Sequence, residues 1–535
     1  MEATTKASPE QQSGESGEAG AQQANGAPSS TAATAASGSF DVRNPATGET
    51  VETLAIAGAE EVAATVARVR AAQVEWEALG HAGRYRWLGK LRDWIFENYE
   101  GIADTMQAET GKVRGDAGGE AVYLTDSINF YGTKAKKFLG DDRIRAHNPL
   151  LRVKKLRVAY RPHPVVGIIS PWNFPLMLSL GDAIPALQAG CAVVIKPSEF
   201  TPLGLREIVS AWKQEIGAPD VLDVVLGLGE TGSALVDNVD FIQFTGSDRT
   251  GRRVMARAAE RLIPVSLELG GKDPMVVLDD ADIDRAANAA TWGAMANSGQ
   301  ICMSTERIYV EEPVYDEFVG KLEASVKQLR QGLDGAEFSK DVGAMTSPNQ
   351  TAIVEDHVND AIASGARALT GGKRREGAGD YYEPTILVDV DHSMKVMRDE
   401  TFGPVVGVMR VGDEDEAVRL ANDSRYGLSG AVFGSKRRAE RVARRIECGS
   451  CNVNDVLVNY LTTDVPMGGW KTSGIGYRHG ANGIRKYCRS ESLVITRMGG
   501  KRELIWYPYT AKRRNLVRRA ATLVNARGLR KRLGR

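Results

Sequence analysis

Between Val165 and Gly270 short runs of β-branched residues alternate with helical stretches, and this alternation constrains the fold more than any other feature. The candidate strands are Val165–Ile169, Ala192–Lys196, Val221–Val225, Phe241–Thr245 and Val265–Leu267. Strands separated by helical stretches imply right-handed crossovers and a parallel sheet covered on both faces. The pattern predicts an α/β fold of nucleotide-binding type, although it does not say which nucleotide. Upstream, Val62, Val66, Val69 and Trp76 recur at helical spacing and predict an amphipathic helix, with order beginning near Phe40.

A chain of 535 residues can hold two or three domains, each with a core. Lys+Arg and Asp+Glu balance at 68 each, so nothing draws the whole molecule to nucleic acid. No apolar run reaches 18 residues and no signal-peptide pattern opens the chain, so neither a membrane span nor secretion is expected. Five cysteines are too few for a disulfide framework and fit a reducing cytoplasm. Cys448-Gly-Ser-Cys451 is the one CxxC pair; it reads as part of a strand, structural or incidental, and no metal site is expected. Residues 1–38 contain no Val, Ile, Leu or aromatic side chain and read as a disordered tail. Leu151–Pro162, alternating apolar and basic, reads as an antiparallel hairpin. Ala511–Arg535 holds ten Lys/Arg and no acid, with Leu516, Val517, Ala520, Leu523 and Val524 on one helical face. Such a helix fits peripheral contact with an anionic membrane or docking on the protein's own dimer.

Four separated segments carry the chemistry: Pro171-Trp-Asn-Phe-Pro175, Leu267-Glu-Leu-Gly-Gly271, Gln300-Ile-Cys302 and Glu400-Thr-Phe-Gly-Pro404. In this order they resemble the NAD(P)-dependent aldehyde dehydrogenase superfamily over roughly residues 40–498. Ser304-Thr-Glu-Arg-Ile-Tyr-Val310, Pro466-Met-Gly-Gly469 and the basic tail look like its succinic-semialdehyde-dehydrogenase-like actinobacterial branch. The resemblance implies an aldehyde dehydrogenase fold: a Rossmann-like parallel-sheet cofactor domain, an α/β catalytic domain and a small β oligomerisation arm. The cofactor domain would comprise 39–144 and 163–270, the arm 145–162 and 481–498, and the catalytic domain 271–480, followed by a basic extension over 499–535. A strand near Ser492–Thr496 would complete the arm, and the assembly would be a homodimer or homotetramer.

The same resemblance implies the roles. Cys302 would attack the aldehyde to give a thiohemiacetal; an ordinary thiol, with a pKa of about 8.5, needs a lowered pKa or a nearby base for this. Asn173, with the backbone N–H of Cys302, would hold the oxyanion, a donor worth about 2.7–4 kcal/mol of barrier. After hydride leaves for the nicotinamide, Glu268 would activate water to hydrolyse the Cys302 thioester, which requires a pKa raised toward neutrality. Gly227-Leu-Gly229-Glu-Thr-Gly232 fits GxGxxG literally. The superfamily instead uses the next strand-to-helix turn, matched by Phe244-Thr-Gly246-Ser247, so Gly246 and Ser247 are assigned to pyrophosphate and the earlier glycines to a loop near the adenine. Lys196 and Glu199 match the ribose-binding pair. A carboxylate there favours NAD, with NADP possible. Glu400 and Phe402 match the nicotinamide-side residues, and Ser170, Trp172 and Leu269 join the cofactor site by their motif positions.

Many relatives carry a Lys and a Glu where this chain has Asp182 and Arg478, and the double reversal predicts an ion pair with swapped ends. Relatives that take succinic semialdehyde carry an Arg where this chain has Gly181. Phe174, Met177, Leu178, Ile301 and Met303 suggest an apolar pocket, equally suited to aliphatic or aromatic aldehydes. Retention of Glu268 favours water over CoA as acyl acceptor, and the presence of Cys302, Glu268 and Asn173 together favours an enzyme over a scaffold.

Overall fold

The computed structural model describes residues 38–497 and 499–528. The tail expected over residues 1–38 lies outside them except for Gly38, as do Met498 and residues 529–535. The first described element is the strand Ser39–Arg43.

Two sheets organise the molecule. The first has six strands in the order Gly474–Ile475, Val265–Glu268, Phe241–Thr245, Val165–Ile169, Ala192–Lys196, Leu222–Val224. All neighbours are parallel except the short first strand. Its central strands are Val/Ile/Phe-rich and almost wholly buried, as helices on both faces require. Of the sequence-derived strands, Val221–Val225 shortens to Leu222–Val224 and Val265–Leu267 lengthens to Glu268, whose backbone pairs with Thr245 and Gly474. The anticipated helix runs Ala59–Ala78 and buries Val62, Val66, Val69 and Trp76. The Trp76 indole donates to the Leu187 carbonyl at 2.9 Å and meets Trp212 edge-on, centroids 6.0 Å apart.

After Leu222–Val224 at one edge the chain returns to the other side of Val165–Ile169, so a topological switch point lies between that strand and Phe241–Thr245. In open parallel sheets the crevice outside the carboxyl ends at such a point is where ligands bind. The segments leaving those ends are Ser170–Pro175 and Gly246–Ser247.

Four residues, Leu269–Lys272, link the first sheet to the second. The second has seven strands, ordered Arg367–Thr370, Thr385–Val388, Val405–Val411, Thr305–Glu311, Asp273–Val277, Ser429–Phe433, Ser450–Val453. Cys451 sits in the last of these, and the described cysteines are all free thiols. A third, three-stranded sheet joins Asp142–Ile144, Lys154–Pro162 and Cys488–Thr496. This corrects the reading of Leu151–Pro162 as a complete hairpin. Asn148 caps a short turn through Pro149–Leu151, accepting from the Leu150 N–H at 3.0 Å, so only the second arm of the hairpin lies in that segment. Near the C-terminus, Ala511–Asn525 is helical and no residue in it is buried. No helix among the described residues is long and apolar enough to cross a membrane.

Candidate active site

The switch-point crevice is a cavity of about 270 Å³, lined by all four sequence motifs together: Trp172 and Asn173, Glu268 to Gly270, Cys302, and Glu400 with Phe402. Thr245, Gly246 and Ser247 complete it at the start of the helix Asp248–Glu260. The Ser247 hydroxyl accepts from the Thr250 N–H at 3.4 Å as the helix N-cap. A second cavity, of about 420 Å³, opens on the other side of Cys302 and Leu178, the two residues common to both linings. Its walls include Phe174, Met177, Trp292, Ile301 and Met303.

Glycine brings the motifs close. A side chain at Gly270 would collide with the Glu400 carboxylate, and one at Gly271 with the Cys302 carbonyl oxygen. The Gly271 N–H donates to Glu400 Oε1 at 2.9 Å. Ahead of the thiol, Asn297 and Ser298 hold φ of 49° and 55°, and Phe402 holds 53°. Non-glycine residues there cost of order 1–3 kcal/mol each and persist only where surroundings over-determine them.

Two buried ion pairs brace the segments around the thiol, one of them holding the Phe402 N–H. Lys112 Nζ lies 2.7 Å from Glu120 and donates to the Asn173 carbonyl at 2.9 Å, while Glu120 accepts the Leu176 and Met177 N–H groups at 3.0 Å each. Lys272 pairs with Glu306, and Glu306 accepts the Thr401 and Phe402 N–H groups at 2.9 Å each. One pair therefore fixes the Asn173 segment and the other the Glu400 segment. The Asn173 amide donates to the Gln300 carbonyl at 2.8 Å, tying it to the loop before the thiol. Sequence reasoning missed all four charged residues, because their partners are 61 and 129 residues away or lack any motif. It also missed Gln350 and Ile353 in the first cavity.

Glu268 is 2% exposed, and neither of its carboxylate oxygens has a hydrogen-bond partner among the described residues. Burial pushes its pKa up to about 7, partly opposed by Arg478, whose guanidinium lies 3.8 Å away. Burial likewise pushes the Cys302 thiol up to about 12, against the pull of Arg478. Glu400 rises to about 8 through burial and then its neighbour Glu306. Asp182 and Arg478 do pair, at 2.8 Å and nearly fully buried, and Arg478 also donates to the Thr245 hydroxyl. Burial alone would raise the Asp182 carboxyl; Arg478 and Lys486 reverse this and hold it below its ordinary range.

Ser170, Lys196 and Glu199 lie outside the first cavity's lining but at the same carboxyl end of the sheet. The Ser170 N–H donates to the Lys196 carbonyl at 3.1 Å, and Lys196 Nζ is 3.7 Å from Glu199. The Ser170 hydroxyl is buried without a partner among the described residues. The Gly227–Gly232 stretch contributes nothing to that lining: Thr231 donates to the Ala57 carbonyl, and a side chain at Gly232 would approach Lys196 Cδ at 3.6 Å. Among the described residues no group of three or more His, Cys, Asp or Glu could hold a metal ion.

Comparison with known proteins finds the model of the aldehyde dehydrogenase family matching residues 32–493. A Mycolicibacterium smegmatis protein provisionally named succinate-semialdehyde dehydrogenase (NADP+) is 42% identical over 460 residues, covering 84% of this chain and 88% of its own length. The 4,4'-diapolycopene aldehyde oxidase of a Methylomonas species is 40% identical over 446 residues, 83% of either chain. Betaine aldehyde dehydrogenase from Staphylococcus aureus, solved in complex with NAD+, superposes with a TM-score of 0.81 at 32% identity, covering 86% of this chain and 92% of its own.

Proposed function

Since the chain belongs to the aldehyde dehydrogenase family, we propose that it oxidises an aldehyde to the carboxylic acid through a thioester on Cys302, with Glu268 as base and NAD or NADP as hydride acceptor. The carrying observation is the position of Cys302 in the wall between two cavities, one of which it shares with Glu268.

The first cavity fits a dinucleotide. A helix N-terminus at Ser247 offers N–H groups to phosphate, Glu400 offers a carboxylate to a ribose, and Trp172 and Phe402 form an edge-on aromatic pair 5.4 Å apart. Lys196 and Glu199 would hold the adenosine ribose, with Ser170 and Leu269 beside the bound molecule. A nicotinamide bound there would supply the acceptor for the hydride lost from the carbon attached to Cys302. A thiol raised to about 12 stays protonated at neutral pH, so Glu268, raised to about 7, takes its proton as sulfur adds to the carbonyl. The Asn173 amide and the Cys302 N–H stabilise the oxygen that becomes negative. Loss of hydride leaves the thioester. Glu268 gives up the thiol's proton to solvent, then removes a proton from water as its oxygen attacks the acyl carbon, and returns that proton to the Cys302 sulfur as the carbon–sulfur bond breaks and the acid forms. Two unpartnered carboxylate oxygens suit a base for water, which favours hydrolysis over transfer to CoA.

Glu199 beside the ribose site favours NAD, while the name of the M. smegmatis relative favours NADP. Two relatives' names point to different substrates, succinate semialdehyde and 4,4'-diapolycopene aldehyde. We further propose a homo-oligomer formed through the three-stranded sheet, where Val494 and Ile144 are exposed, and contact of the basic C-terminal helix with anionic lipid.

Cys302→Ala is expected to abolish NAD(P)H production. Glu268→Gln, which loses the base for both steps, is expected to form its first equivalent slowly and to turn over more slowly still, with the acyl group on Cys302 visible by mass spectrometry. Steady turnover by Cys302→Ala would overturn the mechanism.

A further inference from the structure

We infer that the second cavity selects aldehydes with uncharged apolar bodies of medium to long chain, and rejects short semialdehydes bearing a carboxylate. The inference rests on the proposed aldehyde oxidation and names the substrate class for that site.

No Lys, Arg or His lines this cavity among the described residues; the only charged side chains in its wall are Asp116 and Glu120. A carboxylate entering here would be desolvated without a cation and would meet charge of its own sign. Of the neighbouring cations Lys112, Arg478 and Arg330 are engaged, and Lys340 lies outside the lining. Lys112 is bound to Glu120 and the Asn173 carbonyl and lies over the Phe174 ring, 4.5 Å from its centroid. Arg478 does not line the cavity; its guanidinium is taken by Asp182 and Thr245. Arg330 and Lys340 line a separate groove that meets the cavity only around Gly115, Asp116, Trp292 and Ala296, and Arg330 is paired with Asp341 at 2.8 Å. Gly181, where a clamping Arg would stand, faces Tyr123 instead, with room for a Cβ only 3.0 Å from that ring.

Apart from Asn297 and Tyr460 the rest of the wall is apolar or glycine, and it continues outward. Trp292 is 50% exposed and Leu461 53% exposed, so an apolar surface extends past the rim instead of ending at a polar collar. A chain bonded to sulfur at its carbonyl end would run along Phe174, Met177 and Ile301 and leave between these two side chains. Each methylene buried on that path tightens binding about fourfold.

The test compares propanal, hexanal, octanal and succinate semialdehyde by kcat/KM, with NAD and with NADP, and by calorimetric binding to Cys302→Ala, which cannot form the adduct. Octanal is expected to exceed succinate semialdehyde by on the order of 100-fold in kcat/KM, and to bind the variant where succinate semialdehyde does not. Leu461→Arg, at the exposed rim, is expected to narrow that ratio from both directions. Equal or better use of succinate semialdehyde, or its equal binding to Cys302→Ala, would overturn the inference. Selective octanal binding with no turnover of any aldehyde would leave the cavity's preference standing and overturn the proposed reaction instead.

Discussion

Glu268 ties the proposed turnover directly to pH. With its carboxyl at about 7, kcat is expected to rise with pH along a limb centred near 7. Arg478 opposes the upward shift more than Asp182 adds to it. Removing both charges together, as Asp182→Asn with Arg478→Gln, should therefore move the limb to higher pH, with Lys486 losing its Asp182 partner in the exchange; a limb that moves to lower pH contradicts this assignment. The stability sign is opposite to the catalytic one. A carboxyl raised in the folded state is tolerated when neutral, so its contribution is intact below about 4.5 and is lost as pH climbs toward 7. Glu268→Gln should consequently be the more stable protein at pH 8, by at most on the order of 3 kcal/mol, while being nearly inactive. Cys302, Glu268, Asn173, Glu400 and Phe402 were legible because each sits in a local motif. Lys112, Glu120, Lys272 and Glu306 were not, because nothing near them in the chain distinguishes a buried lysine or glutamate from a solvated one.

At the level of elements, the two buried lysine–glutamate pairs act as clamps on loops. Lys272→Met would leave Glu306 buried and uncompensated, a change worth about 3–5 kcal/mol. It should lower the denaturation midpoint and raise KM for the dinucleotide, since the Thr401 and Phe402 N–H groups depend on Glu306. Adding Glu306→Gln should restore part of the stability and little of the KM, and full recovery of both would mean that the pair does not position the Glu400 loop. The central strands were readable because burial on both faces demands unbroken β-branched runs, and the first helix because Val62, Val66, Val69 and Trp76 share one face. Leu151–Pro162 misled because alternation marks a strand without saying where its partner begins; that partner, Asp142–Ile144, is three residues long and two of them are charged.

For the molecule as a whole, the parallel architecture followed from pattern, whereas the meeting of the two sheets at one thiol depends on the four-residue link Leu269–Lys272 and on close approaches at glycine that no periodicity encodes. The helix Ala511–Asn525 stands apart from that core with no buried residue. Deleting residues 499–535 should leave the solution mass per subunit assembly and the turnover of soluble aldehydes unchanged, while abolishing co-sedimentation with phosphatidylserine vesicles at low salt. Retained co-sedimentation would assign lipid contact elsewhere or to none of this helix. The partition formed by Leu178 and Cys302 has one more effect. Two chambers divided by a leucyl side chain and a sulfur atom cannot be filled independently, so an inhibitor pressed far enough into either one will be sensed in the other. Inhibition that looks competitive toward one reactant should thus carry a trace of the second, and compounds bridging the partition would gain over the sum of their halves.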